Sequence, residues 1–273
     1  DWVNASYVGS LAFFYHGSPT ELSGIRLRAD FLRATPGKDI VKIADDYFDR
    51  LGYFGLANFT GKLGIRPTGG LSEAIIVEGE FDALAMLVGN LQAGVLYDVV
   101  LSIGGGGDPH LDALQDFGIE RCLLVPDSPD HKGDQIAHLM LKENTLPMMV
   151  FTWPSNVMAK DPDEAVQTHG WEKWNGSLLA ISEDSGAALR RKNFVFPHKW
   201  ASQQFIQNLA DVDSDDVTAI KKLVADTGAC LRDPEEQRLF AGVVTGATGI
   251  PVGAIFELMV GREETELGYV YRI

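Results

Sequence analysis

The stretch AIIVEGEFDALAM, residues 74–86, decides the predicted fold. It opens with four apolar residues rich in β-branched side chains, which is typical of a buried strand. A glycine follows, and FDALAMLVGN (81–90) then has helical spacing with a Gly-Asn stop. A short strand that turns at a glycine into a helix is the basic unit of a parallel α/β sheet.

The same order of strand and helix continues along the chain. The apolar patterns predict three further strands, at 97–102, 121–127 and 147–154. They also predict helices between these strands, at 109–118 and 132–144. This alternation predicts a parallel four-stranded sheet flanked by helices, with right-handed crossovers. In such a sheet the functional crevice lies outside the carboxyl ends of the strands.

Four carboxylates follow the ends of two predicted strands. Glu78 comes directly after AIIV and Asp82 lies four residues on, whereas Asp127 follows CLLVP and Asp130 lies three residues further. Because parallel strands end at one edge of the sheet, we expect these side chains to converge. Mg²⁺ prefers a few carboxylates completed by waters and substrate phosphates. We therefore predict a Mg²⁺ site, open also to Mn²⁺, with the ligands Glu78, Asp127 and Asp130 and with Asp82 as a further catalytic carboxylate.

Charge and pattern divide the chain into three predicted regions. Residues 1–70 carry a net charge of +1 and form an N-terminal basic α+β subdomain, with a loop at 17–24, an arginine-bearing strand at 25–33 and a helix at 40–56. Residues 71–170 form the parallel sheet domain. Residues 171–273 form a C-terminal helical subdomain, because their apolar residues recur at helical spacings between Asp-rich starts and Gly stops.

Composition narrows the possible functions. The net charge of −15 and pI of about 4.7 oppose a simple DNA-coating role, which needs a basic face. Two cysteines cannot form a structural zinc site and fit a reducing cytoplasm. The sequence has no apolar run long enough to predict a membrane span. The first residues lack a signal-peptide pattern and an initiator Met. We expect a segment of a longer cytoplasmic protein.

The run GGGG (104–107) follows the second predicted strand, between the two acidic motifs. Without Cβ atoms, the backbone N–H groups of Gly105 and Gly106 can approach a phosphate closely. A flexible turn would explain the same letters equally well, so the run alone does not decide between the two interpretations.

Taken in order, these motifs resemble the TOPRIM domain of primases. IIVEGEFDALAM resembles the first TOPRIM motif, with Glu78 at its glutamate and Asp82 at the Asp of primase versions. IGGGG resembles the glycines after the second strand, LLVPDSPDHKGDQIA the Asp-x-Asp-x-x-Gly motif, and FTWPSNVMAKDPDEAV the Lys-Asp-Pro-Asp-Glu segment that follows. The resemblance narrows to the bacterial replicative primase and the related phage primase-helicases.

Two features depart from the family pattern. The second acidic motif reads Asp127-Ser128-Pro129-Asp130, one residue longer than Asp-x-Asp, so either the loop bulges or one carboxylate is displaced. Glu80 stands where primases often have an aromatic residue, and we expect a solvated carboxylate there.

The resemblance implies a DNA primase catalytic core, a Mg²⁺-dependent enzyme that makes short RNA primers on single-stranded DNA during replication. The implied partners are the template, ribonucleoside triphosphates and a replicative helicase, in trans or fused, in a bacterium or a phage-infected host and without a membrane. The resemblance implies that template or nucleotide phosphates are held by Arg26, Arg28, Arg33 and Lys38, for which a solvated strand face is an equally good interpretation. The further candidates for substrate binding are Gly105 and Gly106 in the glycine run and Lys132 beside the acidic loop, although a lysine in such a place more often faces water.

Two other functions remain open from the residues. A TOPRIM nuclease would use the same acidic site. A nucleic-acid-binding or replisome-docking module with weak catalysis would agree with the longer acidic loop and the acidic composition.

Overall fold

The computed structural model describes most of the chain, in twelve ranges. These are residues 11–18, 21–28, 40–42, 53–55, 73–92, 99–103, 111–128, 133–180, 190–191, 193–260, 262–265 and 268–271. Several residues named above lie outside the described part: Arg33, Lys38, Gly105, Gly106, Asp130 and Lys132.

Nine of the described strands form one mixed sheet. They are β1 (Leu11–Ser18), β2 (Glu21–Arg28), β3 (Ile40–Lys42), β4 (Tyr53–Phe54), β5 (Glu73–Val77), β6 (Val99–Ser102), β7 (Arg121–Val125), β8 (Met148–Phe151) and β11 (Phe194–Val195). Their order across the sheet is β11-β8-β7-β5-β6-β4-β1-β2-β3. Two small antiparallel pairs stand apart from it, β9 (Leu179–Ala180) with β10 (Arg190–Arg191) and β12 (Arg262–Thr265) with β13 (Gly268–Tyr271).

The four predicted parallel strands form the middle of this sheet. Strand β5 pairs in parallel with β6 on one side and β7 on the other, and β7 pairs in parallel with β8. The prediction of a four-stranded parallel sheet is nevertheless wrong in extent, because antiparallel strands continue it at both edges, β4 next to β6 and β11 next to β8. These neighbours satisfy backbone groups that an unpaired edge would leave free.

The N-terminal strands differ most from the sequence prediction. Strand β2 begins at Glu21, within the predicted loop, because it pairs along its length with β1, which the sequence analysis did not identify. Register shifts near His16 break the simple alternation that would have revealed this hairpin. The predicted helix at 40–56 is wrong at both described ends, where β3 and β4 are strands.

The helices predicted at 81–90, 109–118 and 132–144 are present among the nine helices described in the second and third regions. These nine are α1 (Glu80–Gln92), a 3-10 helix (Leu111–Phe117), α2 (Gly133–Glu143), α3 (Pro162–His169), α4 (Trp171–Leu178), α5 (Pro197–Leu209), α6 (Val217–Gly228), α7 (Pro234–Thr248) and α8 (Val252–Val260). None of the helices in the described ranges is long and apolar enough to cross a membrane.

Side chains of the central strands fill two cores, one on each face of the sheet. Along β5, Ala74 and Ile76 belong to the core that includes α2 and the C-terminal helices, whereas Ile75 and Val77 belong to the core that includes α1, α3 and α4. Successive residues of a strand point to opposite faces, and a parallel strand covered by helices is apolar on both. The polar residue that follows such a strand therefore lies at the edge of both cores.

Candidate acidic site at the strand ends

The two predicted acidic motifs meet in the structure. Val77 at the end of β5 is paired in register with Val125 at the end of β7, so the residues that follow these strands lie side by side. The backbone N–H of Asp127 donates to Glu78 Oε1 at 3.0 Å. The Glu78 carboxylate thus reaches across from its own strand end to the next one, as the positions of the motifs predicted.

Asp82 has a different role in the geometry. It lies in the first turn of α1 and its side chain is buried, at 5% exposure. Asp82 Oδ2 accepts a hydrogen bond from Gly79 N and Oδ1 accepts one from Asp163 N, both at 3.0 Å. Asp82 therefore joins the turn after β5 to the amino-terminal end of α3, and both of its oxygens are occupied by backbone donors.

Burial, and after it the charge of neighbouring carboxylates, raises the pKa values of the acidic side chains. Burial raises the pKa of Asp127 to about 8, and the negative charges of Glu78, Asp82 and Asp161 add to this, while Lys160 acts in the opposite direction. Burial also raises the pKa of Asp82 to about 7, against the two backbone hydrogen bonds. Burial likewise raises the pKa of Glu78. A cation close to these groups would favour their ionised forms.

Apolar side chains that line a small pocket beside Glu78 contribute to the burial of its carboxylate. The pocket lies on the α2 side of the sheet and is lined by Ile76, Val77, Ile103, Leu124, Val125, Pro126, Ile136, Ala137 and Met140 as well as Glu78. Apolar walls at the strand ends exclude water from one side of the carboxylate and so weaken its solvation.

The backbone around Asp127 is fixed from three directions. Ser128 N donates to the carbonyl of Lys160 at 2.6 Å, and Trp153 Nε1 donates to the carbonyl of Pro126 at 2.9 Å. A Cβ on Gly133 would lie only 1.8 Å from the Asp127 carbonyl oxygen, so the start of α2 contacts this turn at a distance that only glycine permits. The role of Trp153 could not be predicted from the sequence, since a tryptophan after a strand carries no signal of its indole partner.

Two contacts from β6 and β1 reach the turn after β5. Ser102 Oγ, at the end of β6, donates to the Glu78 carbonyl at 3.0 Å. The hydroxyl of Tyr15 on β1 donates to Glu80 Oε1. Glu80 is 8% exposed, so the expectation of a solvated carboxylate is wrong: the hydroxyl of a buried tyrosine, distant in sequence, satisfies it.

Of the predicted basic residues, the two in the described part of the chain are not next to this site within the sheet. Arg26 and Arg28 belong to β2, where Arg26 is opposite Phe13 of β1 and Lys42 of β3. Strands β1, β4 and β6 separate β2 from β5. With strands about 4.8 Å apart, the two are roughly 19 Å apart across the sheet.

The described residues supply only part of a metal shell. Among them, no group of three or more His, Cys, Asp or Glu side chains is arranged to hold a metal ion. Glu78 and Asp127 are adjacent, but Asp130 lies outside the described residues. Two carboxylates are nevertheless a usual protein contribution to Mg²⁺, which keeps several waters and takes further oxygens from substrate phosphates.

The fold resembles solved bacterial primases, although the sequence matches no protein-family profile and no curated protein. The structure is similar to the zinc-binding and RNA polymerase domains of the Aquifex aeolicus primase (TM-score 0.55, 14% identity), covering 93% of this chain but 54% of that one. It is similar to a DNA primase domain from Pseudomonas aeruginosa (TM-score 0.59, 14% identity), covering 92% of this chain and 72% of that one.

A third similar structure contains nucleic acid. It is the RNA polymerase domain of the Mycobacterium tuberculosis primase in complex with a double-stranded DNA oligomer that has a 6-nucleotide overhang (TM-score 0.50, 16% identity), with 89% of this chain and 71% of that one covered. At these identities the likeness concerns the fold. This chain therefore has a mixed α/β fold similar to that of bacterial primase catalytic cores.

Proposed function

We propose that this chain is a primase-type catalytic core that synthesises short RNA primers on single-stranded DNA. The observation that carries the proposal is the contact between Glu78 Oε1 and Asp127 N at the ends of two adjacent parallel strands. It occurs in a fold shared with primase cores, and the residues that meet are those of the TOPRIM-like motifs. The likeness to a primase domain solved with DNA supports a nucleic-acid template.

Glu78, Asp127 and Asp130 would hold the divalent cation in this proposal. Their hard oxygen donors suit Mg²⁺ or Mn²⁺, and the raised pKa of Asp127 fits a carboxylate placed to receive a cation. The bound ion would neutralise charge on the transferring phosphoryl group as the primer 3′-hydroxyl attacks the α-phosphate of the incoming triphosphate and pyrophosphate leaves. Asp82 would act within the site by holding the turn that carries Glu78.

Substrates would bind on both sides of these carboxylates. The N-terminal region, 1–70, would contribute Arg26, Arg28, Arg33 and Lys38 to the template or nucleotide phosphates. The sheet domain, 71–170, would contribute Gly105, Gly106 and Lys132. The helical region, 171–273, is a candidate contact for a replicative helicase. The protein would act in the cytoplasm of a bacterium or an infected host.

Primer synthesis tests the proposal directly. We expect labelled ribonucleotides to be joined on a single-stranded DNA template with Mg²⁺ or Mn²⁺, and Glu78→Gln to reduce product more than about 100-fold, since even residues that only orient a metal ligand contribute about 10–100-fold. Glu143→Gln is the matched control, because Glu143 is an exposed glutamate in the last turn of α2.

Three outcomes would separate the alternatives. Equal product from wild type and Glu78→Gln would refute the assigned site. Metal-dependent nicking of DNA without primer synthesis would indicate the nuclease. Calorimetry that detects no Mg²⁺ binding, together with helicase binding to the chain, would indicate the docking module.

A further inference from the structure

The segment that begins at Lys160 is fixed between the two strand ends. The Lys160 carbonyl accepts from Ser128 N at 2.6 Å, directly after Asp127, and Lys160 N donates to Glu164 Oε2 at 2.8 Å. Three residues on, Asp163 N donates to Asp82 at 3.0 Å. Lys160 is thereby bonded to the Asp127 turn, and the segment from Lys160 to Asp163 links that turn to Asp82, which fixes the backbone of Lys160 beside the site.

The side chain of Lys160 is held only weakly. Its Nζ lies 3.1 Å from Asp161 Oδ2, and the side chain is 54% exposed. An ion pair this exposed contributes about 0–1 kcal/mol. The Asp161 carboxylate already accepts from Glu164 N through Oδ1 as the helix cap of α3, so it does not depend on the lysine. The ammonium group can therefore exchange partners at little cost.

Lys160 also stands out by its charge. The described groups that raise the pKa of Asp127 electrostatically are Glu78, Asp82 and Asp161, and Lys160 is the described group that opposes them. The pair with Asp161 raises the pKa of Lys160, and the charges of Asp127 and Glu164 add to this. A positive charge on a flexible four-carbon stem at the rim of an acidic site suits an incoming polyphosphate.

We propose that Lys160 binds the terminal phosphates of the nucleoside triphosphate. The inference rests on the proposed function, because it assumes that a triphosphate enters between the Glu78 and Asp127 strand ends. A divalent cation on those carboxylates would offset the negative charge that attracts the ammonium group, which then leaves Asp161 and pairs with the β- and γ-phosphate oxygens. Charge-assisted hydrogen bonds to phosphate are stronger than the exposed pair with Asp161.

Equilibrium binding without turnover tests this role. We expect Lys160→Gln to weaken ATP binding about 10-fold in titrations with Ca²⁺, in line with a lost hydrogen bond to a charged group, while AMP binding stays unchanged. Lys160→Arg should restore most of the ATP affinity. Lys142→Gln is the control, since Lys142 is an exposed lysine near the end of α2.

The outcomes distinguish this inference from the proposed function. Equal ATP affinity in wild type and Lys160→Gln, or an equal loss for ATP and AMP, would overturn the role of Lys160. A wild-type chain that binds no ATP would overturn it as well. A wild type that binds ATP but makes no primer, with the selective loss in Lys160→Gln, would support Lys160 and refute the polymerase assignment.

Discussion

The two turns that form the acidic site hold their carboxylates in opposite ways. After β5, Glu78 accepts from Asp127 N, and Asp82 accepts from both Gly79 N and Asp163 N. After β7, the backbone of Asp127 is fixed, yet among the described residues nothing donates a hydrogen bond to its carboxylate. Instead that carboxylate faces the negative charges of Glu78, Asp82 and Asp161.

This difference separates carboxylates that stabilise the local backbone from a carboxylate that is stabilised only when a cation binds. A buried acceptor with two backbone donors stabilises the local structure, because removing it leaves those donors without partners. A carboxylate whose neighbours repel its charge lowers the stability of the metal-free fold. Binding of a cation removes this repulsion and raises the stability. Asp82 belongs to the first kind and Asp127 to the second.

Asp127→Asn should have the largest effect on activity and little cost in stability. We expect Mg²⁺-dependent product to fall more than about 100-fold, because a ligand contributes more than the roughly 10–100-fold of a residue that orients one. At pH 8 without metal, its melting temperature should equal or exceed that of wild type, since like charges no longer meet. A clear loss of stability in this variant would place Asp127 with Asp82 as a structural carboxylate.

Asp82→Ala should lower both stability and activity. Loss of two hydrogen bonds to backbone N–H groups is expected to cost about 2–4 kcal/mol of unfolding free energy. Product should fall about 10–100-fold through misplacement of Glu78. Denaturant titration measures the first effect, with Asp116→Asn as the control because Asp116 is exposed. An unchanged unfolding free energy would remove the distinction between the two turns.

Gly133→Ala tests how tightly the Asp127 turn is packed. The new Cβ would lie 1.8 Å from the Asp127 carbonyl oxygen, and relief of the clash should cost about 1–3 kcal/mol. Gly242→Ala is the matched control: it lies within α7, and its Cβ would meet nothing within 4 Å in the described structure. The control should gain up to about 1 kcal/mol from helix propensity. Two variants of equal stability would contradict the close contact.

The metal-free chain should lose stability as pH rises. The pKa values of Asp82 and Asp127, about 7 and about 8, lie above the ordinary 3.8, so the folded chain retains protons that the unfolded chain releases. Their contribution is complete below about pH 4 and is lost as pH rises through 7 to 8. Allowing for solvent exposure, we expect a loss of about 1–2 kcal/mol, or a few degrees in melting temperature.

Two additions sharpen that pH experiment. Mg²⁺ should raise the melting temperature more at pH 8 than at pH 5, because protons compete with the cation for the same oxygens. In Asp127→Asn the pH-dependent loss should be smaller than in wild type. A wild-type profile that is flat from pH 4 to 8 would argue against the repulsion between the two turns.

Trp153→Phe should have the smallest effect. It removes the indole N–H that donates to the Pro126 carbonyl but keeps an aromatic ring against Phe151 and Trp174. We expect a cost of about 0.5–1.5 kcal/mol in unfolding free energy. If Trp153 reports on the Asp127 turn, the change in protein fluorescence on adding Mg²⁺ should also shrink in this variant.

Sequence alone predicted the part of the fold whose patterns are local. The strands β5 to β8, with α1 and α2, each carry an apolar run followed by a glycine or helical spacing, and the acidic residues follow directly. The closeness of Glu78 and Asp127 followed from parallel topology. The N-terminal strands were predicted less well, since register shifts near His16 obscure the β1–β2 hairpin and the two-residue strand β4 is defined by its pairing with β1 and β6.

The sequence also could not reveal which carboxylates accept hydrogen bonds from distant residues. Glu80 and Asp82 are both acids at the start of one helix, yet Glu80 accepts from the hydroxyl of Tyr15 and Asp82 accepts from a backbone N–H at the start of α3. Both partners lie more than sixty residues away. Such contacts depend on tertiary packing, about which local periodicity carries no information.

The place of β4 in the sheet has a consequence for how the chain acquires its structure during synthesis. Residues 53–54 pair with β6 only after Ser102 has been made, and β8 gains its outer neighbour only when residues 194–195 arrive. Pairings between such distant residues slow folding, and unpaired strand edges attract other chains in the meantime. A ribosome-bound chain that stops short of residue 194 is therefore expected to depend on chaperones more than the finished protein does.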